Sequence, residues 1–167
     1  MIEKLIIIQK NKDKLKYWEK EGKKLLRKFK CTNWVFELYN SKDDFGECNW
    51  QKKVIRLSRY FIILESKNEK IMDVLLHEIA HLLDFKNRKF SKHDKEWKEL
   101  AKSIGCSGKY YLDRKTYKKL ANKVYKYTGI CKKCGNKYYN QKLSKNSKKT
   151  SYCSFCEKGK IIWEQNF

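Results

Sequence analysis

The 167-residue sequence predicts an α+β fold in which helices pack on a short β-sheet and a small β-hairpin unit follows. Three observations carry this. Apolar residues recur at helical spacing in residues 12–30 and again from residue 66. Between those stretches lie two runs rich in β-branched and aromatic residues. Near the C-terminus stand two Cys-x-x-Cys pairs with little apolar material around them. A composition of 41% hydrophobic and 14% aromatic residues is enough to bury one modest core.

Leu15, Trp18, Leu25, Leu26 and Phe29 lie among lysines and predict an amphipathic helix over 12–30. "NWVFELYN", then the turn-like "SKDDFGEC", then "KKVIRLSRYFIIL" read as two or three strands. Ser66-x-x-Glu69 is a helix-start signature and predicts a helix over 66–85 that is apolar nearly all round from Ile71 to Phe85. Within it Asp73, His77, His81 and Asp84 form one polar stripe, with Glu78 beside it. A second signature, Ser91-x-x-Asp94, predicts a helix over 91–105 on which His93 shares a face with Trp97, Leu100, Ala101 and Ile104. The domain reading is therefore 1–115 as the main domain, 116–127 as a basic linker, and 128–167 as a four-cysteine ribbon.

The formal net charge of +22 points to a polyanionic partner. Abundant lysine and absent proline also fit an AT-rich coding sequence, which would spread the charge evenly. The distribution is uneven: residues 1–30 hold 11 basic against 4 acidic residues, 31–107 hold 14 against 12, and 108–167 hold 16 against 3. The C-terminal third carries most of the excess. No run of 18 or more apolar residues exists, and Leu5–Ile8 is interrupted by Gln9 and Lys10. The expectation is an intracellular protein, a monomer with no membrane partner, whose seven cysteines serve as metal ligands or free thiols.

All three histidines fall between residues 77 and 93. His77 and His81 are one helical turn apart, about 6 Å, so both imidazoles can close on one zinc ion. Glu78 is too far round the helix to be the natural third ligand. It is placed to take a proton from water and pass it to a leaving amine, the role metal-assisted hydrolysis needs. His93 is the remaining histidine and the candidate third ligand, with Asp84 or Asp94 as alternatives. Asp84 alternatively orients a ligand histidine.

Cys131-x2-Cys134 and Cys153-x2-Cys156 are eighteen residues apart, a spacing suited to a second, structural zinc held across a hairpin. Gly135 would supply the positive φ that closes the first knuckle. Lys132, Lys133, Lys137, Tyr138, Lys142, Lys148 and Lys149 are the candidate nucleic-acid contacts, aromatic rings for bases and ammonium groups for phosphates. Cys31, Cys48 and Cys106 have no partner spacing and read as small buried residues.

Along most of its length the chain resembles the SprT-like zinc metalloprotease family. "NWVFELYN" looks like the family's first strand, "GECNWQKKVIRLS" like its turn and next strands, and "VLLHEIAHLL" like its catalytic helix. "KHDKEW" is similar to the third-histidine segment, and a four-cysteine ribbon follows as in many members. The resemblance implies a compact zincin-type metalloprotease core with zinc on His77, His81 and His93 and Glu78 as catalytic residue. It implies a protease acting on proteins bound or crosslinked to DNA, single- or double-stranded. One departure is Asp94, where the family often has glycine after the third histidine. The rival readings are a nucleic-acid-binding regulatory protein with a non-catalytic zinc, and a general peptidase indifferent to DNA.

Overall fold

A computed structural model describes residues 2–108 and 114–167, with side chains from residue 10 to 108 and from 115 onward. The chain is mixed α and β and divides into two compact units, residues 13–122 and residues 123–167 with the first twelve. Each is described by itself.

Helix α1 (Ile2–Lys28), which belongs to the larger unit from residue 13 on, starts ten residues before the expected 12–30 because residues 2–21 contain no glycine or proline to break it. Leu15, Trp18, Leu25 and Leu26 are its buried stripe. Strands β1 (Val35–Tyr39), β2 (Gly46–Asn49) and β3 (Val54–Ser58) form a sheet in the order β1-β3-β2, with β1 parallel and β2 antiparallel to β3. On the central strand Ile55 and Leu57 are fully buried, while Arg56 stands opposite Glu37 on β1 and Glu47 on β2. Its guanidinium reaches both carboxylates, at 3.1 and 3.3 Å, and this three-strand charge ladder fixes the register of the edge strand β2.

The run after β3 is not a strand. Ser58 caps α2 (Arg59–Leu64), its hydroxyl accepting from the Phe61 amide, and the apolar residues Tyr60, Phe61 and Ile62 are buried as a short helix. Helix α3 (Asn68–Arg88) starts after Lys67 with no side-chain cap, so the Ser66–Glu69 signature goes unused; Glu65 instead accepts from the Lys67 amide. Ile71, Leu75, Ile79, Ala80 and Leu82 are completely buried, the larger of them worth about 1.5–3 kcal/mol each. Lys89, at φ 65°, ends the helix in the left-handed region, its amide returning to the Phe85 carbonyl.

Helix α4 (Lys95–Ser103) is capped by Asp94, whose carboxylate accepts from the Trp97 amide at 3.0 Å. It therefore opens four residues after Ser91, and His93 precedes the helix rather than sitting in its first turn. The chain beyond α4 is tied to α3 by Asp73, which accepts from the Ser107 amide and hydroxyl at 2.5 and 2.8 Å.

Residues 116–121 of the expected basic linker are helical, and the division between the two units falls after Asn122. Helix α5 (Arg114–Ala121) buries Tyr117 and Ala121, one turn apart and hidden in the sequence among lysines. The Tyr117 hydroxyl donates to the Ser41 carbonyl (3.0 Å) beside the Ser58 hydroxyl, and its ring meets Phe45 edge-on at 4.6 Å. Helix α5 thereby holds the β1–β2 loop that leads into Gly46.

The smaller unit is a second three-stranded sheet, β4 (Tyr127–Cys131), β5 (Lys137–Asn140) and β6 (Ile161–Gln165), in the antiparallel order β5-β4-β6. The span between the two cysteine pairs holds α6 (Lys145–Thr150) as well as a hairpin strand. No described helix is long and apolar enough to cross a membrane.

Candidate functional site

Helix α3 and the segment before α4 bring the three histidines together. Nε2 of His81 lies 3.2 Å from that of His77 and 2.9 Å from that of His93, and the last two are 3.0 Å apart. Three ring nitrogens thus face one point, a group able to hold a metal ion. Trp97, on the first turn of α4 and buried, lies beside all three rings at 4.7, 4.9 and 4.5 Å. The sequence pattern places it with the core. The structure makes it a wall of the site as well. His93 itself is exposed, so its expected core-facing direction holds only for the edge that touches Trp97.

Burial and the neighbouring imidazoles lower His77 to about 4 and His81 to about 3. Burial and Lys98 also lower His93. All three rings are neutral at pH 7, the state that ligates metal. Asp84 and Asp94 are not in the cluster. Both are occupied by Arg88, whose guanidinium lies 2.6 and 2.7 Å from the oxygens of Asp84 and 2.9 Å from each oxygen of Asp94.

Glu78 points to the edge strand. Burial pushes its carboxyl up to about 8, Glu47 and Asp44 add to the rise, and a hydrogen bond from the Cys48 amide opposes it. A cation on the histidines would pull it back down. Gly46 makes room for this side chain: a Cβ there would meet Glu78 Cγ at 2.8 Å, Glu78 Oε1 at 3.0 Å and the Arg56 carbonyl at 3.1 Å. Gly46→Ala is expected to push Glu78 out of place while leaving the histidines undisturbed. Any hydrolytic turnover that uses Glu78 should fall about 100-fold, the cost of a displacement near 1 Å, while the capacity of the histidines to bind metal is unchanged. In sequence Gly46 has only the look of a turn residue; the close approach arises from β2 lying on α3.

The four cysteines of the smaller unit also converge, all Sγ atoms lying within 4.8 Å of one another, with Cys131–Cys156 at 3.6 Å and Cys134–Cys153 at 3.5 Å. Backbone amides of Lys133, Cys134 and Cys156 point at Cys131 or Cys153 sulfur at 3.4–3.5 Å, the pattern of two metal knuckles. Gly135 follows the first knuckle at φ 74°, and Glu157 follows the second at φ 56°.

Tyr138 is turned inward. Its hydroxyl is 3.0 Å from Cys153 Sγ, so that end of the ring serves the cysteine cluster. Lys132, Lys133, Lys137, Lys142, Lys148 and Lys149 are exposed, and Lys148 lies over the Tyr127 ring at 4.5 Å. Among the described residues of the smaller unit the exposed aromatic rings are Tyr125, Tyr139, Tyr152 and Phe155, at 43%, 52%, 64% and 78% exposure.

Comparison with curated proteins and with solved structures finds no match for this chain. The family model described as SprT-like matches residues 15–126, a stretch that holds the sheet, all three histidines and Glu78. The chain belongs to the SprT-like family.

Proposed function

We propose that this chain is a zinc-dependent endopeptidase of zincin type that acts on proteins bound to DNA. The observation that carries the reading is the convergence of the three Nε2 atoms at 2.9–3.2 Å, with Glu78 next to His77 on the same helix. Tetrahedral bonds of about 2.0–2.1 Å put nitrogen pairs about 3.3 Å apart, so zinc fits after small ring rotations. Three protein donors leave a position open, as in catalytic sites, whereas the four thiols of the smaller unit make a closed, structural set.

Zinc on the histidines would supply Lewis acidity, polarising the scissile carbonyl and lowering the pKa of the attacking water. The chain supplies the proton transfers. The Glu78 carboxylate, steadied by the Cys48 amide, takes the proton from water and delivers it to the leaving amine. Trp97 excludes water from one side of the imidazoles and limits their rotation.

Support for DNA as partner comes from the C-terminal third, with its 16 basic against 3 acidic residues, exposed lysines and the exposed rings of Tyr125, Tyr139, Tyr152 and Phe155. Ammonium groups meet phosphates and rings stack on bases, a combination that suits single-stranded or duplex DNA.

The test is cleavage of a DNA-binding protein with and without its DNA over a range of salt. Activity should vanish on chelation, return with zinc, and rise with DNA at low salt, the stimulation fading as salt increases. Zinc-dependent cleavage that ignores DNA would establish the general peptidase instead. Two bound zinc ions and DNA affinity without any cleavage would establish the binding protein.

A further inference from the structure

We propose that Ser91 and Arg88 form a positioning relay that aims two of the three ligand histidines, Ser91 holding the tautomer of His81 and Arg88 fixing the chain at His93. The inference rests on the zinc reading of the histidine cluster and adds residues to it.

Nδ1 of His81 is 2.8 Å from Ser91 Oγ, and Nε2 of the same ring faces His77 and His93. Ligation through Nε2 requires a bare lone pair there, so the ring proton must sit on Nδ1. Ser91 Oγ is placed to accept it, which holds the ring in that tautomer and orientation. Asp84, 3% exposed, receives two bonds from Arg88.

Arg88 extends the relay to the third ligand. Its planar fork holds Asp84, on its own helix, and Asp94, the cap of α4 and the residue after His93. The Phe90 ring lies 4.6 Å from the guanidinium and keeps that face packed. The six-residue segment from Lys89 to Asp94 carries both Ser91 and His93, and Arg88 bridges its two ends. A lysine could not replace it, because one ammonium cannot span two carboxylates in a plane.

The experiment uses the full chain and reads metal affinity at the histidine site by competition with a chromophoric chelator. Cobalt(II) substitution separates this site from the cysteine site, since only the latter gives thiolate charge-transfer bands. Ser91→Ala should weaken the histidine site by about 10–100-fold. Ser91→Thr, which keeps the hydroxyl, should restore it, and Arg88→Lys should weaken it as Ser91→Ala does. In all three the cysteine site should bind as in wild type, and the thermal unfolding of metal-free Ser91→Ala should match wild type. Equal affinity in wild type and Ser91→Ala overturns the relay and leaves the zinc reading standing. Failure of threonine to restore affinity overturns it as well. A wild-type chain that binds no metal at the histidines overturns both readings at once.

Discussion

Glu78→Gln is expected to lower turnover by about 10²–10⁴-fold, the usual contribution of a positioned proton-transfer group, while the protein keeps its metal. The substitution is isosteric, and the amide oxygen of glutamine can still accept from the Cys48 amide, so the contact with β2 survives. Only the ability to hold and release a proton is lost. Stability should move in the opposite direction. Glu78 carries a folded pKa near 8 against an ordinary value of 4.5. An acid whose pKa rises on folding costs the fold stability at every pH where the unfolded chain is ionised, so the cost grows from about pH 4.5 up to about pH 8. In the metal-free protein at pH 7.5, Glu78→Gln should therefore melt above wild type, and at pH 4 the difference should disappear. Melting curves at the two pH values, with turnover and metal content on the same samples, check this. Undiminished cleavage by the variant would remove Glu78 from the chemistry.

The parts of this site that were legible in the sequence are those whose partners sit at fixed local spacing. His77 and His81 are one turn apart, Glu78 is adjacent, and each Cys-x-x-Cys pair wraps its own half of a metal site. His93 was legible by elimination, being the remaining histidine. What was not legible depends on contacts through space. Ser91 has the local pattern of a helix cap, yet His81 claims its hydroxyl and Asp94 caps the helix instead. Trp97 and Arg88 look like a core residue and a solvated charge, and they become wall and brace because α4 crosses the end of α3. Tyr138 reads as a candidate base contact, and nothing in its spacing shows that its hydroxyl lies against Cys153. Helix α5 was missed because Tyr117 and Ala121 are too few apolar residues to show a periodicity among so many lysines.

Metal is expected to matter more to the smaller unit than to the larger one. The buried cluster around its cysteines consists of Cys131, Cys153 and Ile161, with Tyr138, Cys156 and Trp163 packed against it. Cys131, Cys153 and Cys156 are themselves in the candidate metal group, so this cluster has little apolar packing independent of the ion. A structural zinc contributes about 10–16 kcal/mol of folding free energy to a small module. Replacing Cys131 and Cys153 together by serine should therefore release one zinc of two and abolish the β4–β6 sheet, while the histidine site keeps its ion. Gly159 offers a sharper version that removes no ligand. A Cβ there would collide with Cys131 Sγ and lie 3.0 Å from both Cys156 Sγ and Lys133 Cβ, so the backbone at Gly159 must pass directly against the sulfur cluster. The Cys153 amide also bonds to the Gly159 carbonyl at 2.7 Å, so displacing this segment disturbs the second knuckle as well. Gly159→Ala should lose the same zinc as the double cysteine variant, and DNA affinity at low salt should fall with it if the ordered ribbon presents the lysines. Metal analysis, amide NMR spectra and DNA titration on the full chain read the three effects together. A ribbon that keeps its dispersed amide resonances in the double cysteine variant would mean that side-chain packing alone holds β4 to β6, and the structural role given to the metal would be wrong.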